Sequence, residues 1–380
     1  MTAAYSIADL RADAQRRLPR AIFDFFDGGA EDEITLSANR AAFQRHRFLP
    51  RVLQDVSQID TRSEIFGREI AMPMAIAPTG AVGFGYPGGD VAIAKAALAA
   101  GIPYTLSSTA TASIERIADA APGRLWFQAY ILKDKAFLAR MIERARVAEY
   151  EALMITVDLP VGGKRERDQR NHFSVPFRFT PKNVWDFAQK PGWCWRMLRQ
   201  GMPVMENLIG LDDQAKSASS MASSVGRNYD AAFDWEALQK IRDLWPRQLI
   251  VKGVMHPEDA DRACTMGCDA LVVSNHGGRQ LDGAVATLDA LPGVVQAAAQ
   301  RVPVWVDGGV RRGQDVVKAK ALGAGGVLLG RATLFGAVSD GDRGAQRALE
   351  ILQTELVRTL QLCGVRSVAD ITPALLAKLA

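Results

Sequence analysis

The stretch Leu271-Val-Val-Ser-Asn-His-Gly-Gly-Arg-Gln-Leu-Asp282 sets an imidazole, His276, at the end of a β-branched apolar run, with a guanidinium, Arg279, three residues on. An apolar run passing into Gly277-Gly278 reads as a buried strand that opens into a glycine loop. An imidazole titrates near neutrality and can take a proton, and a planar guanidinium can grip a carboxylate through two parallel hydrogen bonds. The pair suits proton abstraction from a substrate anchored by its carboxylate. Of the four histidines (His46, His172, His256, His276), only His276 lies between a strand and paired glycines. Taken alone, the same dozen residues fit a loop histidine held by structural hydrogen bonds equally well.

Further short apolar runs occur at Met74–Ala77, Tyr104–Ser108, Leu125–Tyr130, Leu153–Asp158, Gln248–Lys252, Ala270–Ser274, Pro303–Asp307 and Gly326–Leu329. Between them, Asp90–Ala100, Lys135–Val147, Pro257–Met266, Leu288–Gln300 and Gln314–Leu322 have helical spacing and good helix formers. Strands alternating with helices predict parallel βαβ units, and eight strands close a (β/α)8 TIM barrel. Their continuous apolar character fits burial on both faces. A doubly wound open sheet is the competing architecture. The first 70 residues read as a helical preface, with Ser6 before Asp9 as a cap, and a last helix is expected near Arg343–Leu362.

In such a barrel, functional groups gather at the C-terminal strand ends. Those ends carry Pro78-Thr79-Gly80, Ser107, Gln128 with Tyr130, Thr156 with Asp158, Lys252, Ser274 with His276, Asp307-Gly308-Gly309-Val310-Arg311, and Gly330-Arg331. The paired glycine–arginine turns after the last two strands form a phosphate site, with exposed backbone N–H groups, a helix N-terminus and two guanidiniums. Pro78-Thr79-Gly80 lets a flat ring approach the backbone. Ser107, Gln128, Thr156 and Lys252 suit the polar edge of a flavin, where a lysine would stabilise the negative charge of the reduced ring. No GxGxxG with an acidic partner follows a strand, which disfavours a Rossmann NAD site.

Composition narrows the class. With 48% hydrophobic and 23% charged residues the chain has ample core, and a net charge of +4 gives no case for nucleic acid. Cys194, Cys264, Cys268 and Cys363 have neither zinc spacing nor a secreted disulfide pattern, so no metal is expected. The first residues lack an apolar signal segment, and no run of about 18 apolar residues could span a bilayer. These features predict a cytoplasmic protein. One excursion, Leu159 to Phe233, breaks the strand–helix rhythm. Its part from Phe177 to Leu211 mixes Trp185, Phe187, Trp193, Trp195, Met197, Leu198 and Met202 with Lys182, Lys190, Arg196 and Arg199. Tryptophans among cations suit an anionic membrane surface; packing into the protein or a subunit contact is the other reading.

Ser274-Asn-His-Gly-Gly-Arg-Gln-Leu-Asp282, Asp307-Gly-Gly-Val-Arg311, Gly29-Ala-Glu-Asp32 and Arg165-Glu-Arg167 resemble the FMN-dependent 2-hydroxy acid dehydrogenase and oxidase family. The resemblance spans essentially the whole chain. The insertion and Phe233-Asp-Trp-Glu-Ala-Leu238 most resemble its membrane-associated, mandelate-oxidising branch. It implies one domain over 1–380, an insertion at about 177–216 that meets the inner face of the cell membrane, bound FMN and a homotetramer. By the same resemblance His276 is the base and Asp158 stabilises its charged form. Arg165 and Arg279 bind the substrate carboxylate, and Tyr130 bonds the hydroxyl or the developing carbonyl.

The implied activity is oxidation of an (S)-2-hydroxy acid, aromatic in kind, to the 2-keto acid, with a quinone or other membrane acceptor. L-Lactate oxidation, a peroxide-forming oxidase, and a flavin-binding barrel with little turnover are the competing readings. Gly80, where many oxidases of the family carry alanine, favours a dehydrogenase. One position departs from the family pattern: Phe25 stands where a tyrosine hydroxyl would join the arginines on the carboxylate. No nearby tyrosine in the sequence substitutes for it. Phe25 is expected to disfavour small hydroxy acids and favour an apolar or aromatic substituent; the plainer reading is that it only lowers activity.

Overall fold

A computed structural model describes residues 4–171, 181–211 and 228–377. A short hairpin, β1 (Ser63–Ile65) and β2 (Arg68–Ile70), precedes eight parallel strands. These are β3 (Met74–Ile76), β4 (Tyr104–Ser107), β5 (Leu125–Ala129), β6 (Ala152–Thr156), β7 (Gln248–Lys252), β8 (Ala270–Val273), β9 (Val304–Val306) and β10 (Gly326–Leu329). Each pairs with the next and β10 returns to β3, closing a (β/α)8 TIM barrel. The open-sheet alternative is thereby set aside.

Side chains alternate across a strand, which divides the barrel's residues into two sets. Ala75, Trp126, Met154, Ile250, Val272, Trp305 and Leu328 form one buried cluster, and Trp126 and Trp305 meet edge to face with centroids 6.1 Å apart. The alternate residues, such as Ile76, Phe127, Ile155, Val251 and Val306, join the larger cluster that includes helical residues. Two residues beyond the first set, in the same phase, come Gln128, Thr156, Lys252, Ser274, Asp307 and Gly330. The period of the strands thus converts a plug of apolar side chains into a ring of polar ones at the C-terminal mouth.

One expectation is corrected. The first 70 residues are not wholly helical: helices at Ile7–Arg17, Arg20–Asp27 and Ile34–Arg45 are followed by an irregular stretch and the β1–β2 hairpin. The hairpin turns at Phe66-Gly67, both with positive φ, and Phe66 packs on Trp126 at 5.8 Å. The last helix forms where expected, running from just after a break at Asp340-Gly341 to Cys363, and a separate helical stretch from Arg331 precedes the break. The Ser6 cap forms, its hydroxyl accepting from Asp9 N at 3.2 Å.

The excursion after β6 holds helices Glu166–Arg170, Pro181–Ala188 and Pro191–Gln200. Its aromatic residues divide between two faces. Trp193 donates to Phe84 O at 2.8 Å and stacks on Phe187, and Met197 is buried beside them. Trp185, Trp195 and Leu198 are 69%, 65% and 81% exposed. Lys190 donates to Arg16 O at 2.7 Å, and the Arg196 guanidinium lies over the Tyr86 ring, so one cation fastens the insertion to the N-terminal helix and the other to the loop after β3. Residues 177–180 and 212–216 of the expected insertion, and the Lys182 side chain, lie outside the described residues.

Candidate active site

At the mouth of the barrel lies a cavity of about 400 Å³, a volume suited to a small-molecule or cofactor site. Phe25, Pro78, Thr79, Gly80, Tyr130, Thr156, Arg165, Lys252, His276, Arg279, Asp307, Gly309, Arg311, Gly330 and Arg331, all anticipated from the sequence, line it. Ser107, Gln128, Ser274 and Asp158 are not in its wall. Ser107 donates to Gln128 Oε1 at 3.1 Å, and both are buried. The Ser274 hydroxyl accepts from Lys252 Nζ at 2.8 Å and from His276 N at 3.1 Å, tying two wall residues to one point.

His276 sits at φ +58, followed by Gly277 and Gly278 at +64 and +76. A histidine in the left-handed region is uncommon and persists where its surroundings fix it. Here the fixing contact is Asp158, whose Oδ1 lies 2.8 Å from Nδ1. A carboxylate only accepts, so Nδ1 carries the proton and Nε2 is the free base. Nε2 in turn lies 3.3 Å from the Tyr130 hydroxyl. Burial raises the Asp158 carboxyl, but the neighbouring His276 and the Lys252 charge outweigh it and hold the group below its ordinary range. The result is a base aimed into the cavity with a fixed negative charge behind it.

Arg165 and Arg279 flank the Phe25 ring, their guanidinium carbons 5.6 and 5.2 Å from its centroid. Arg165 pairs with Asp168 at 2.7 Å, and Arg279 donates to Phe25 O and Gly28 O at 2.7 and 3.0 Å. Burial, with the charges of Arg165 and Arg331, pushes the Arg279 guanidinium down to about 9. Two cations on either side of one ring, in the wall of one cavity, favour an anion between them.

The phosphate expectation needs one correction. Burial drives Arg311 and Arg331 each down to about 10, and each is further depressed by neighbouring arginines, so this end also favours an anion. Yet Arg331 is not a free fork: it donates to Phe26 O, Gly277 O and Gly28 O at 2.9, 2.9 and 2.7 Å. Its direct part is to clamp the N-terminal segment onto the histidine loop and to add charge. Gly29 allows that approach, since a Cβ there would stand 2.7 Å from Gly278 O, and Ala30 N donates to the same carbonyl at 2.8 Å.

Sequence reasoning missed Tyr229. It lines the cavity, packs against Tyr130 with ring centroids 5.4 Å apart, and pairs through its backbone with Leu132. It arrives from the far end of the excursion, where no local pattern marks it.

A family model described as FMN-dependent dehydrogenase matches residues 14–378. The chain belongs to the FMN-dependent dehydrogenase family. Among the relatives of this FMN-dependent dehydrogenase is the (S)-mandelate dehydrogenase of Pseudomonas putida, 42% identical over 97% of this chain and 93% of the relative. An L-lactate dehydrogenase of Caulobacter sp. (strain K31) is 39% identical over 98% of both chains. The solved structure of the monotopic membrane protein (S)-mandelate dehydrogenase superposes with a TM-score of 0.95 at 41% identity, covering 99% of this chain and 100% of that one. The protein is an enzyme that uses FMN to oxidise a 2-hydroxy acid.

The cavity fits that cofactor. Gln128 Nε2, Thr156 Oγ1 and Asp307 Oδ1 are buried without a partner among the described residues. An unpaired buried polar group is costly, and the edge of a flavin and its polar chain would satisfy such groups. Lys252, 4% exposed, ion-pairs with Asp307 at 3.3 Å. Burial lowers its ammonium, but Asp307 and Asp158 more than restore it, so a positive charge is kept in the wall.

Proposed function

We propose that this dehydrogenase oxidises an aromatic (S)-2-hydroxy acid of mandelate type to the 2-keto acid and passes the electrons to a quinone or another membrane acceptor. The observation that carries the chemistry is the Asp158–His276–Tyr130 chain beside two arginines in the wall of the same cavity. Arg165 and Arg279 hold the substrate carboxylate and orient its α-carbon. His276 Nε2 takes a proton, Asp158 stabilises the resulting imidazolium, and the Tyr130 hydroxyl bonds the substrate's hydroxyl or developing carbonyl oxygen. FMN, when bound, would supply the oxidant, accepting the two electrons and the hydrogen that His276 does not take. Pro78, Thr79, Gly80, Thr156 and Lys252 would hold its ring, with Ser107, Gln128 and Ser274 supporting them from behind the wall, and Asp307, Gly309, Arg311 and Gly330 would hold its chain and phosphate, with Arg331 adding charge.

The apolar Phe25 ring between the arginines supports an aromatic substrate, as does likeness to the mandelate dehydrogenase. Likeness to the L-lactate dehydrogenase supports a second reading, lactate. At Gly80 a Cβ would collide with Thr109 Oγ1, which Ser107 holds at 3.0 Å, so an alanine would have to displace that hydroxyl. Gly80 supports a dehydrogenase over an oxidase. No helix among the described residues is long and apolar enough to cross a membrane. The exposed Trp185, Trp195 and Leu198 support peripheral residence on the inner face of the cell membrane. We assign one domain over 1–380 and a homotetramer, both on the resemblance read from the sequence.

Anaerobic titration of the yellow holoenzyme with (S)-mandelate and, in parallel, (S)-lactate tests this reading. Rapid bleaching by mandelate with slow reoxidation in air is expected. Bleaching by lactate alone would replace the substrate, and fast reoxidation in air would replace the acceptor.

A further inference from the structure

The family pattern puts a phenol at position 25, and this chain has Phe25 there, between Arg165 and Arg279. The cavity nevertheless contains a second phenol besides Tyr130. We propose that Tyr229 supplies the hydrogen bond to the substrate carboxylate that position 25 cannot, so that the third anionic-group donor enters from the excursion after β6 instead of from the N-terminal helix. This rests on the assignment of Arg165 and Arg279 to the carboxylate.

Four observations converge. Tyr229 and Phe25 line the same cavity, together with Arg165 and Arg279. Burial and the neighbouring Tyr130 phenol raise the Tyr229 hydroxyl, and the Arg165 charge opposes them. The net shift is upward, so the group is a neutral phenol, a hydrogen-bond donor at any physiological pH. Its place is fixed by backbone on both sides: Lys133 N donates to Asn228 O at 2.8 Å, and Asp230 N donates to Ile131 O at 3.0 Å. Asp230 is also paired with Lys135. The residue is therefore held as an added strand-like rung beside the segment that carries Tyr130, and its ring packs on Tyr130 at 5.4 Å.

The chemistry favours the carboxylate as the partner. A phenol that shares a cavity with two guanidiniums can donate to an anion held there, and a hydrogen bond to a charged group changes affinity by roughly tenfold to a hundredfold. A phenol at 229 also leaves the Phe25 ring free to present an apolar surface, so one pocket combines three donors with an aromatic wall.

The test is a double-mutant cycle read by calorimetric binding of 2-phenylacetate, a carboxylate with no hydroxyl to oxidise, to the oxidised holoenzyme. Tyr229→Phe is expected to weaken binding by about tenfold or more. Phe25→Tyr is expected to restore most of that loss in the Tyr229→Phe background, yet to add less than about threefold to the wild type, because one anion has a limited number of acceptor sites. Binding of Tyr229→Phe within about twofold of wild type, or an equal gain from Phe25→Tyr in both backgrounds, overturns the proposal. If the wild type binds neutral 2-phenylacetamide as tightly as 2-phenylacetate, the arginine assignment itself has failed, and the Tyr229 proposal with it.

Discussion

At the scale of single residues, the site is a proton path with a fixed direction. Asp158 sets the tautomer of His276, and the ring's other nitrogen faces Tyr130 and the cavity. His276→Asn should slow anaerobic flavin reduction by about 10²–10⁴-fold, while 2-keto acid binding through the arginines changes little. Stopped-flow bleaching of the variant at near wild-type rates would remove His276 from its role. Much of this was readable in the chain, because His276 and Arg279 share one loop and because the polar residues fall in strand phase. Gln128 follows Trp126 by two, Thr156 follows Met154, and Lys252 follows Ile250. What local pattern could not show were meetings across long separations. The Asp158–His276 pairing, 118 residues apart, was legible only through the family resemblance, and Tyr229, which reaches Tyr130 from the end of an irregular excursion, was not legible at all. The double engagement of Arg331 with Phe26 and Gly277 was hidden for the same reason.

At the scale of elements, the barrel was legible and its accessories were not. Parallel strands buried on both faces give unbroken apolar runs, whereas the β1–β2 hairpin has only three residues per strand and an unusual Phe66-Gly67 turn. Its Ile65 and Ile70 join the barrel's interior cluster, so it serves as a floor. Another buried device supports the wall beside Gly80. Asp90, in the first turn of helix Gly89–Ala99, accepts from Thr111 N at 3.1 Å and from the Thr111 hydroxyl, and Thr111 Oγ1 receives Gly83 N at 3.0 Å. Burial pushes the Asp90 carboxyl up to about 6. Between the ordinary carboxyl value of 3.8 and about 6 the folded chain keeps a proton that the unfolded chain has lost, so this group makes stability fall as pH rises through that window. The total is on the order of 3 kcal/mol. Denaturant unfolding from pH 4 to 7 should show that decline in the wild type and lose it in Asp90→Asn; equal slopes would mean that Asp90 is not the titrating group.

At the scale of the whole molecule, the insertion carries two surfaces. Phe187, Trp193 and Met197 belong to the core, so removing the segment would injure the fold and say little about membranes. Replacing Trp185, Trp195 and Leu198 with serine touches only the outer face. Wild-type protein should float with vesicles containing anionic lipid, and the triple variant should stay behind with its turnover of a soluble acceptor within about twofold. Flotation unchanged by the triple substitution would assign membrane contact elsewhere. The clamp on residues 25–30 has a consequence for how the enzyme is made. The carbonyls of Phe25, Phe26 and Gly28 are gripped by guanidiniums that lie 251 to 305 residues later in the chain. At a synthesis rate of roughly 5–20 residues per second, the first helices leave the ribosome tens of seconds before their partners exist. Their apolar faces, Phe23 and Phe26 among them, must wait uncovered through nearly the whole of translation, which makes the newborn N-terminus the part of this enzyme most in need of a chaperone.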